Sequence, residues 1–80
     1  MLTLEIITPE KTLFDGSVKM VKVPGSKGSF GILTNHAPII STLENGKVVV
    51  LDEADKEQFF EIKSGVVEVL QNKITVLVTE

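Results

Sequence analysis

The 80-residue sequence contains no cysteine, tryptophan, tyrosine or arginine, and it has a single histidine. Without cysteine, the fold has neither disulfide bonds nor thiolate metal ligands. The net charge of −3 and the missing arginine and large aromatics argue against nucleic-acid binding, which calls for a basic surface and aromatic stacking. We therefore expect one small domain of marginal stability, on the order of 5 kcal/mol, that can gain stability from a partner.

Long apolar segments are also missing. The longest uninterrupted apolar run is residues 48–51, whereas a helix needs about 20 apolar residues to span a bilayer. Neither a charged segment nor a cleavage site follows Met1, so we see no signal peptide and expect a cytosolic chain. Any membrane contact is then expected to come through a partner protein.

The sequence does contain many short stretches with the alternation of β-strands. Leu2, Leu4 and Ile6 alternate with polar residues, and no window has a convincing helical period. Turn signals recur at intervals of about 8 to 12 residues. They lie at residues 8–11, at Asp15-Gly16, and at residues 44–46, 52–56, 64–65 and 71–73. This pattern predicts an all-β single domain, a sandwich or flattened barrel with seven or more strands.

Three stretches carry finer signals. The apolar residues at positions 18, 20, 21 and 23 change phase between Met20 and Val21, which predicts a β-bulge there. Residues 47–51 are apolar on both faces, which is typical of a central strand. The Asn45-Gly46 dipeptide before them predicts a hairpin turn.

The most irregular stretch is residues 23–38. It contains three of the six glycines, two of the three prolines and the only histidine. Glycine is enriched where the backbone turns sharply or approaches another group closely, and loops on a rigid scaffold often carry function. We therefore predict a β scaffold that displays this loop.

Several patterns that suggest chemistry are incomplete. His36 could belong to a nucleophilic triad, but a lone histidine in a turn is more often a structural hydrogen-bonding group. The glycines of the loop lack the Gly-Lys-Ser/Thr ending and the following helix of a phosphate-binding loop. Four acidic residues lack the central glycine and terminal glutamate of a calcium loop; they are Asp52, Glu53, Asp55 and Glu57. We expect no catalytic residue, no metal site and no cofactor.

Lys19-Met20 leaves open a different class of protein, a free-standing carrier or ligand-binding β domain. Biotinyl and lipoyl carrier domains present a lysine beside methionine at a hairpin tip. Here Lys19 lies within a predicted strand and no methionine precedes it.

Some apolar residues fall on the side of their strand that should face solvent, notably Ile7, Phe59 and Leu77. They could be ordinary exposed residues or belong to strands buried on both faces. Alternatively, they could form one apolar patch for a protein partner.

Three motifs in and around the loop resemble a known family. They are Val23-Pro24-Gly25 through Gly28, then Phe30-Gly31-Ile32-Leu33, and then His36-Ala37-Pro38. The opening residues 4–10, with Phe14 and Gly16, and the closing stretches 64–69 and 73–77 are similar to the same family. Together they resemble the epsilon subunit of F-type ATP synthases, which corresponds to the delta subunit of mitochondria.

The resemblance implies a ten-stranded β-sandwich on the central stalk of the rotor. Such a subunit is not itself a catalyst, and it couples proton-driven rotation to ATP synthesis. Its implied partners are the gamma subunit and the membrane rotor ring of subunit c. Its implied location is the cytoplasmic face of the bacterial inner membrane, or the matrix or stroma side in an organelle.

The resemblance also implies two contact surfaces. Residues expected to meet the rotor ring are Gly25, Ser26, Lys27, Gly28, Ser29 and His36. The strand phases add candidates for the side that faces gamma, namely Ile7, Ile40, Phe59 and Leu77.

The sequence departs from the family pattern in three places. Ser29 stands where relatives often have an acidic residue, which puts a charged ring contact in doubt. Thr34-Asn35 replaces a frequent Pro-Gly pair, and Asn35 can take the left-handed conformation that glycine would. Most relatives continue into a C-terminal helical domain; we expect residues 1–80 to form the β-sandwich domain with no such helical domain, so its inhibitory role is not carried over.

Overall fold

The computed structural model describes all residues from Met1 to Glu80 and contains eight β-strands and no helix. The strands are β1 (Leu2–Ile7), β2 (Thr12–Val23), β3 (Phe30–Ile32), β4 (Ile39–Leu43), β5 (Gly46–Asp52), β6 (Glu57–Ile62), β7 (Ser64–Leu70) and β8 (Lys73–Thr79). The predicted all-β class is confirmed, but the chain has eight strands rather than the ten that the resemblance implied. None of its segments is a helix of the length and apolarity that a membrane crossing requires.

Strand β2 joins two layers of a sandwich. Its first half pairs with β1, and its second half pairs with β5 on one side and β3 on the other. One layer has the order β4-β7-β8-β1-β2, and the other consists of β3, β2, β5 and β6. The register of β2 against β5 shifts between Val18 and Met20. A bulge is therefore present, as predicted, but it lies before Met20 rather than after it; bulges bend a strand and so let it pass between layers.

The inner faces of both layers form one core. It consists of 16 buried apolar residues: Leu2, Leu4, Ile6, Val18, Val21, Val23, Ile32, Leu43, Val48, Val50, Ile62, Val67, Val69, Ile74, Val76 and Val78. Phe14 of the first layer and Phe60 of the second meet edge to face, with ring centroids 6.3 Å apart. The parallel pairing of β1 with β8 connects the first strand to the last within this core. Alternating burial thus follows the sequence alternation that predicted the strands.

The predicted turn at Asp15-Gly16 is wrong. Both residues lie inside β2, and neither has a positive φ. Gly16 pairs with Leu4 and Asp15 with Glu5, so the strand continues through them alongside β1. Pairing with a neighbouring strand here overrides the local turn preference of the dipeptide.

The predicted hairpin at Asn45-Gly46 is also wrong. β4 pairs with β7, whereas β5 pairs with β2 and β6, so these residues connect two layers. Neither residue has a positive φ. A Cβ atom on Gly46 would lie 2.9 Å from the Cβ atom of Pro24, so glycine is needed here for close packing rather than for a left-handed turn.

The predicted turn at residues 64–65 is wrong, because both residues lie inside β7 and pair with β8. Three other local predictions are confirmed. β7 and β8 are joined by a tight turn in which Gln71 and Asn72 have φ values of 49° and 63°. Asn35 is left-handed, with φ of 66°. β5 has a neighbouring strand on each side, as expected for a central strand.

Candidate functional site

The connection between β2 and β3, residues 24–29, is held by hydrogen bonds to β4, among them that from Thr42 Oγ1 to Ser26 Oγ at 2.9 Å, and by the buried Pro24 packed against Gly46. Gly28 N donates to Gly25 O at 2.9 Å, and Ser26 N donates to Thr42 O at 3.0 Å. Gly25 forms an isolated bridge with Leu43 of β4. A Cβ atom on Gly25 would lie 2.6 Å from Gly28 O, so only glycine fits at this position. These contacts fix the loop against the edge of β4.

The outer part of this loop is exposed and polar. Ser26, Lys27, Gly28 and Ser29 face solvent, whereas Gly25 is buried. Together with residues 40–42 they line an open depression whose only formal charge is that of Lys27. Five of the six residues predicted for the ring contact thus lie in one loop, with Gly25 as its support.

The sixth residue, His36, lies in a different segment. Residues 33–38 follow β3 and are held to the β7–β8 turn, because Asn35 N donates to Asn72 Oδ1 at 2.6 Å. His36 is half-buried; its backbone N donates to Leu33 O, and its Nδ1 lies 2.7 Å from Ala37 O. The loop of residues 24–29 and the segment with His36 leave β3 from its two ends.

The apolar candidates for the gamma-facing side divide between the two layers. Ile7 pairs with Leu77, and Leu77 pairs with Val66, so these three side chains form a row across β1, β8 and β7. Ile40 of β4 lies directly opposite Glu68 of β7 and diagonally beside Val66 on the same outer face, and its exposed fraction is 74%. We name these four residues the first-layer face.

Phe59 does not belong to the first-layer face. It lies on β6 opposite Val49, on the outside of the second layer, and its exposed fraction is 58%. The outer faces of two packed layers point in opposite directions. The structure therefore does not bring Phe59 together with Ile7 and Leu77.

Charged groups surround Phe59. Lys47 Nζ lies 4.9 Å from the centroid of the Phe59 ring, within the range of a cation–π contact. Lys47 pairs with Glu61 across β5 and β6, and Glu57 lies two residues before Phe59. We name Phe59 and its neighbours Lys47, Glu57 and Glu61 the second-layer face.

Lys19, the candidate attachment residue of a carrier domain, lies within β2 and binds Asp55. Its Nζ lies 2.6 Å from Asp55 Oδ1, and this hydrogen bond is the main cause that raises the pKa of Lys19 above its ordinary value. Asp52 Oδ1 accepts hydrogen bonds from the backbone N atoms of Ala54 and Lys56. The acidic turn is thus organised by its own backbone and by Lys19, and the chain has no group of three or more histidine, cysteine, aspartate or glutamate residues placed to hold a metal ion.

Sequence reasoning missed three residues of these surfaces. Val66 and Leu70 are exposed apolar residues on β7, and alternation with the buried Val67 and Val69 would have placed them outside. Asn72 was identified only as a turn residue. Its contact with Asn35, 37 residues earlier, has no local sequence signal.

The whole chain matches one family. The model of the ATP synthase delta/epsilon chain, β-sandwich domain, covers residues 1–80. The ATP synthase epsilon chain of Caulobacter vibrioides is 43% identical over 76 residues, which are 95% of this chain and 87% of the relative. That of Sulfurovum sp. is 44% identical over 79 residues, covering 98% of this chain and 61% of the relative.

Solved structures share the fold. A chain in the mitochondrial ATP synthase of Euglena gracilis, in a structure of OSCP, F1 and the c-ring, has a TM-score of 0.92 at 18% identity; the match covers 99% of this chain and 51% of that one. A chain in the central stalk and c-ring structure of Tetrahymena thermophila ATP synthase has a TM-score of 0.81 at 17% identity, over 99% of this chain and 63% of that one.

The aligned lengths differ among relatives. The match covers most of the Caulobacter chain but only 58% of the relative from Desulfosudis oleivorans and 54% of that from Desulfatibacillum aliphaticivorans. The family match nevertheless extends over residues 1–80. The chain belongs to the ATP synthase delta/epsilon family and has that family's β-sandwich domain fold.

Proposed function

We propose that this protein is a non-catalytic, epsilon-type subunit of the central stalk in a proton-translocating ATP synthase. In this role it bridges the gamma subunit and the c-ring and transmits rotation to the catalytic part of the complex. The observation that carries the proposal is the family match over residues 1–80, together with relatives that are named ATP synthase epsilon chains. A stiff sandwich with one packed core suits a part that must transmit torque.

We assign the gamma contact to the first-layer face. Its row of Ile7, Leu77 and Val66 crosses three strands, and Ile40 extends it to β4. An apolar row of this kind on a regular sheet offers a flat surface that a partner can cover. Phe59 lies on the opposite side and serves as a natural comparison.

We assign the ring contact to the exposed loop of Ser26, Lys27, Gly28 and Ser29, with His36 contributing from the next segment. The loop is supported by its hydrogen bonds to β4, and its exposed residues are polar or glycine. It therefore suits a polar contact at the rim of another subunit, where single residues are individually weak. The matching location is the face of the membrane on which the catalytic part lies, cytoplasmic in bacteria.

Coupling tests the proposal directly. Two tryptophans inserted between Lys27 and Gly28 should abolish ATP-driven proton pumping in membrane vesicles, because the insertion separates the loop from the ring. The purified variant should stay folded with a melting temperature only slightly lowered, because the insertion opens the bond from Gly28 N to Gly25 O but no residue of 24–29 belongs to the apolar core.

A matched control carries the same two tryptophans between Glu53 and Ala54, in the turn at the far end of β5. We expect this control to pump normally. Normal pumping by the Lys27–Gly28 insertion would contradict the ring assignment. Failure of the unmodified protein to bind gamma or to restore pumping to a complex that lacks this subunit would contradict the proposed function itself.

A further inference from the structure

Residues 33–38 have few hydrogen bonds to the rest of the chain. Within the segment, His36 N donates to Leu33 O at 3.2 Å. The two hydrogen bonds that connect it to other elements both involve Asn72. Asn35 N donates to Asn72 Oδ1 at 2.6 Å, and Asn72 Nδ2 donates to Asn35 Oδ1 at 3.2 Å.

Asn72 is itself fixed to the sheet. Its carbonyl oxygen accepts a hydrogen bond from Thr3 N at 2.9 Å, at the start of β1. It is also the second residue of the tight turn between β7 and β8. One residue therefore connects the first-layer sheet to the segment that carries His36.

Asparagine is well suited to this contact at both ends. Asn35 and Asn72 have φ values of 66° and 63°, a conformation that asparagine adopts more readily than most residues other than glycine. Its amide supplies one acceptor and two donors on a short side chain. Glycine would keep the backbone conformation but lose both side-chain bonds.

We propose that Asn72 is a positioning residue, which holds residues 33–38 and thereby His36 in the arrangement used for the ring contact. This inference rests on the function proposed above. Asn72 acts through Asn35 and need not touch the ring itself. Without it, residues 33–38 are attached only at their two ends, through β3 and β4.

Three variants separate the contact from the turn. Asn72→Gly keeps the left-handed backbone and removes both side-chain bonds. Asn72→Asp keeps the acceptor for Asn35 N, and a rotated Asn35 amide can donate to its second oxygen. Gln71→Gly changes the other left-handed residue of the same turn, which makes no bond to residues 33–38.

The first measurement is hydrogen exchange of the Asn35 amide in the purified protein. Loss of this bond in Asn72→Gly should speed exchange about tenfold, whereas Asn72→Asp and Gln71→Gly should stay within about twofold of the unmodified protein. Unchanged exchange in Asn72→Gly would overturn the proposal, because Asn72 would then not hold the segment.

The second measurement is ATP-driven proton pumping by the complete ATP synthase. Asn72→Gly should reduce pumping by a factor of about five, with gamma binding retained, and Asn72→Asp should restore it. If Asn72→Gly lowers the melting temperature, pumping is measured well below the unfolding transitions of Asn72→Gly and Gln71→Gly, and a loss confined to Asn72→Gly supports the proposal whereas equal losses overturn it.

The outcomes distinguish this inference from the proposed function. Faster exchange with normal pumping, while the tryptophan insertion at Lys27 abolishes pumping, would overturn the role of Asn72 alone. Normal pumping in both variants would overturn the ring assignment and this inference with it.

Discussion

The two outer faces of the sandwich are built by the same alternation of buried and exposed residues, yet they differ in kind. On the first-layer face, Ile7, Leu77 and Val66 lie side by side because the register of three strands aligns them. On the second-layer face, Phe59 is a single large apolar residue with Lys47 over its ring. Exposed apolar residues therefore form a continuous surface only where strand pairing brings them into one row.

The difference has a consequence for binding. Aliphatic side chains have no hydrogen bonds to water to give up when an apolar partner covers them. Their burial stabilises the complex by about 25 cal/mol for each Å² of apolar surface removed from water. Covering the second-layer face would also desolvate Lys47, Glu57 and Glu61, which costs free energy unless the partner supplies matching charges. Glu5 and Glu68 lie two residues from Ile7 and Val66 on the outer side of the first layer, so a partner that covers only the row of Ile7, Leu77 and Val66 leaves both carboxylates at its rim. Phe59 cannot be covered without also covering Lys47, so an apolar partner favours the first-layer row.

The largest expected effect comes from placing a charge on each face in turn. Leu77→Asp should weaken binding of the gamma subunit by about 3 kcal/mol, because a carboxylate would be buried in the interface without a partner. Phe59→Asp should change binding by less than about 0.5 kcal/mol, since its face points away from gamma. Calorimetry or surface capture with purified gamma measures both.

The same pair of variants can contradict the assignment in two ways. If Phe59→Asp weakens gamma binding more than Leu77→Asp does, the two faces are interchanged. If both variants unfold the isolated protein, Leu77 and Phe59 support the core, and the gamma contact is assigned to neither face. The melting temperature of each variant is the necessary control.

Much of this architecture could be predicted from the sequence, because alternation is a local signal. Leu2, Leu4 and Ile6 are all buried, as their spacing required. The residues of the 24–29 loop could also be singled out, because glycine and proline are concentrated there. The turn of Gln71 and Asn72 was recognisable from its polar residues between two apolar strands.

What the sequence could not show depends on which strands become neighbours. Asp15-Gly16 has a strong turn preference, but pairing with β1 keeps it extended. Ile7 and Phe59 each fall on the predicted outer side of their strand, and only the order of strands in the sheet places them on opposite layers. The contact of Asn35 with Asn72 likewise exists because the end of β3 lies near the turn between β7 and β8, which no local pattern in the sequence shows.

A smaller effect on stability is expected from replacing glycine by alanine in a strand of each layer. A Cβ atom on Gly65 in β7 would lie 2.6 Å from Leu77 O, so Gly65→Ala must push β7 and β8 apart beneath the first-layer face. We expect a loss of about 2 kcal/mol in the free energy of unfolding, a typical cost of overpacking. Urea denaturation measures it.

The matched control is Gly31→Ala in β3 of the second layer. There the nearest atoms to a Cβ would be 3.9 Å away, and φ is not positive. Alanine should be neutral or should stabilise by up to about 1 kcal/mol through the unfolded state. If both variants lose the same free energy of unfolding, the close approach of Gly65 to Leu77 is not the reason why alanine is disfavoured in β7.

The smallest expected effect concerns the ion pair of the second layer and its dependence on pH. Asp55 raises the pKa of Lys19 through their hydrogen bond, so protonated Lys19 is favoured in the folded state. A group whose pKa is raised on folding contributes stability that is fully present below its unfolded pKa and lost as the pH rises through the folded value. The contribution is therefore constant from neutral to mildly alkaline pH and disappears only in strongly alkaline solution.

Because both side chains are exposed, the contribution of this ion pair to stability should be small and weakened by salt. The difference in stability between the unmodified protein and either Lys19→Gln or Asp55→Asn should shrink in strongly alkaline solution, and the double variant should lose no more stability than either single variant. Thermal denaturation between neutral and strongly alkaline pH, at low and high salt, tests this; additive losses in the double variant would mean that the two side chains act independently of each other.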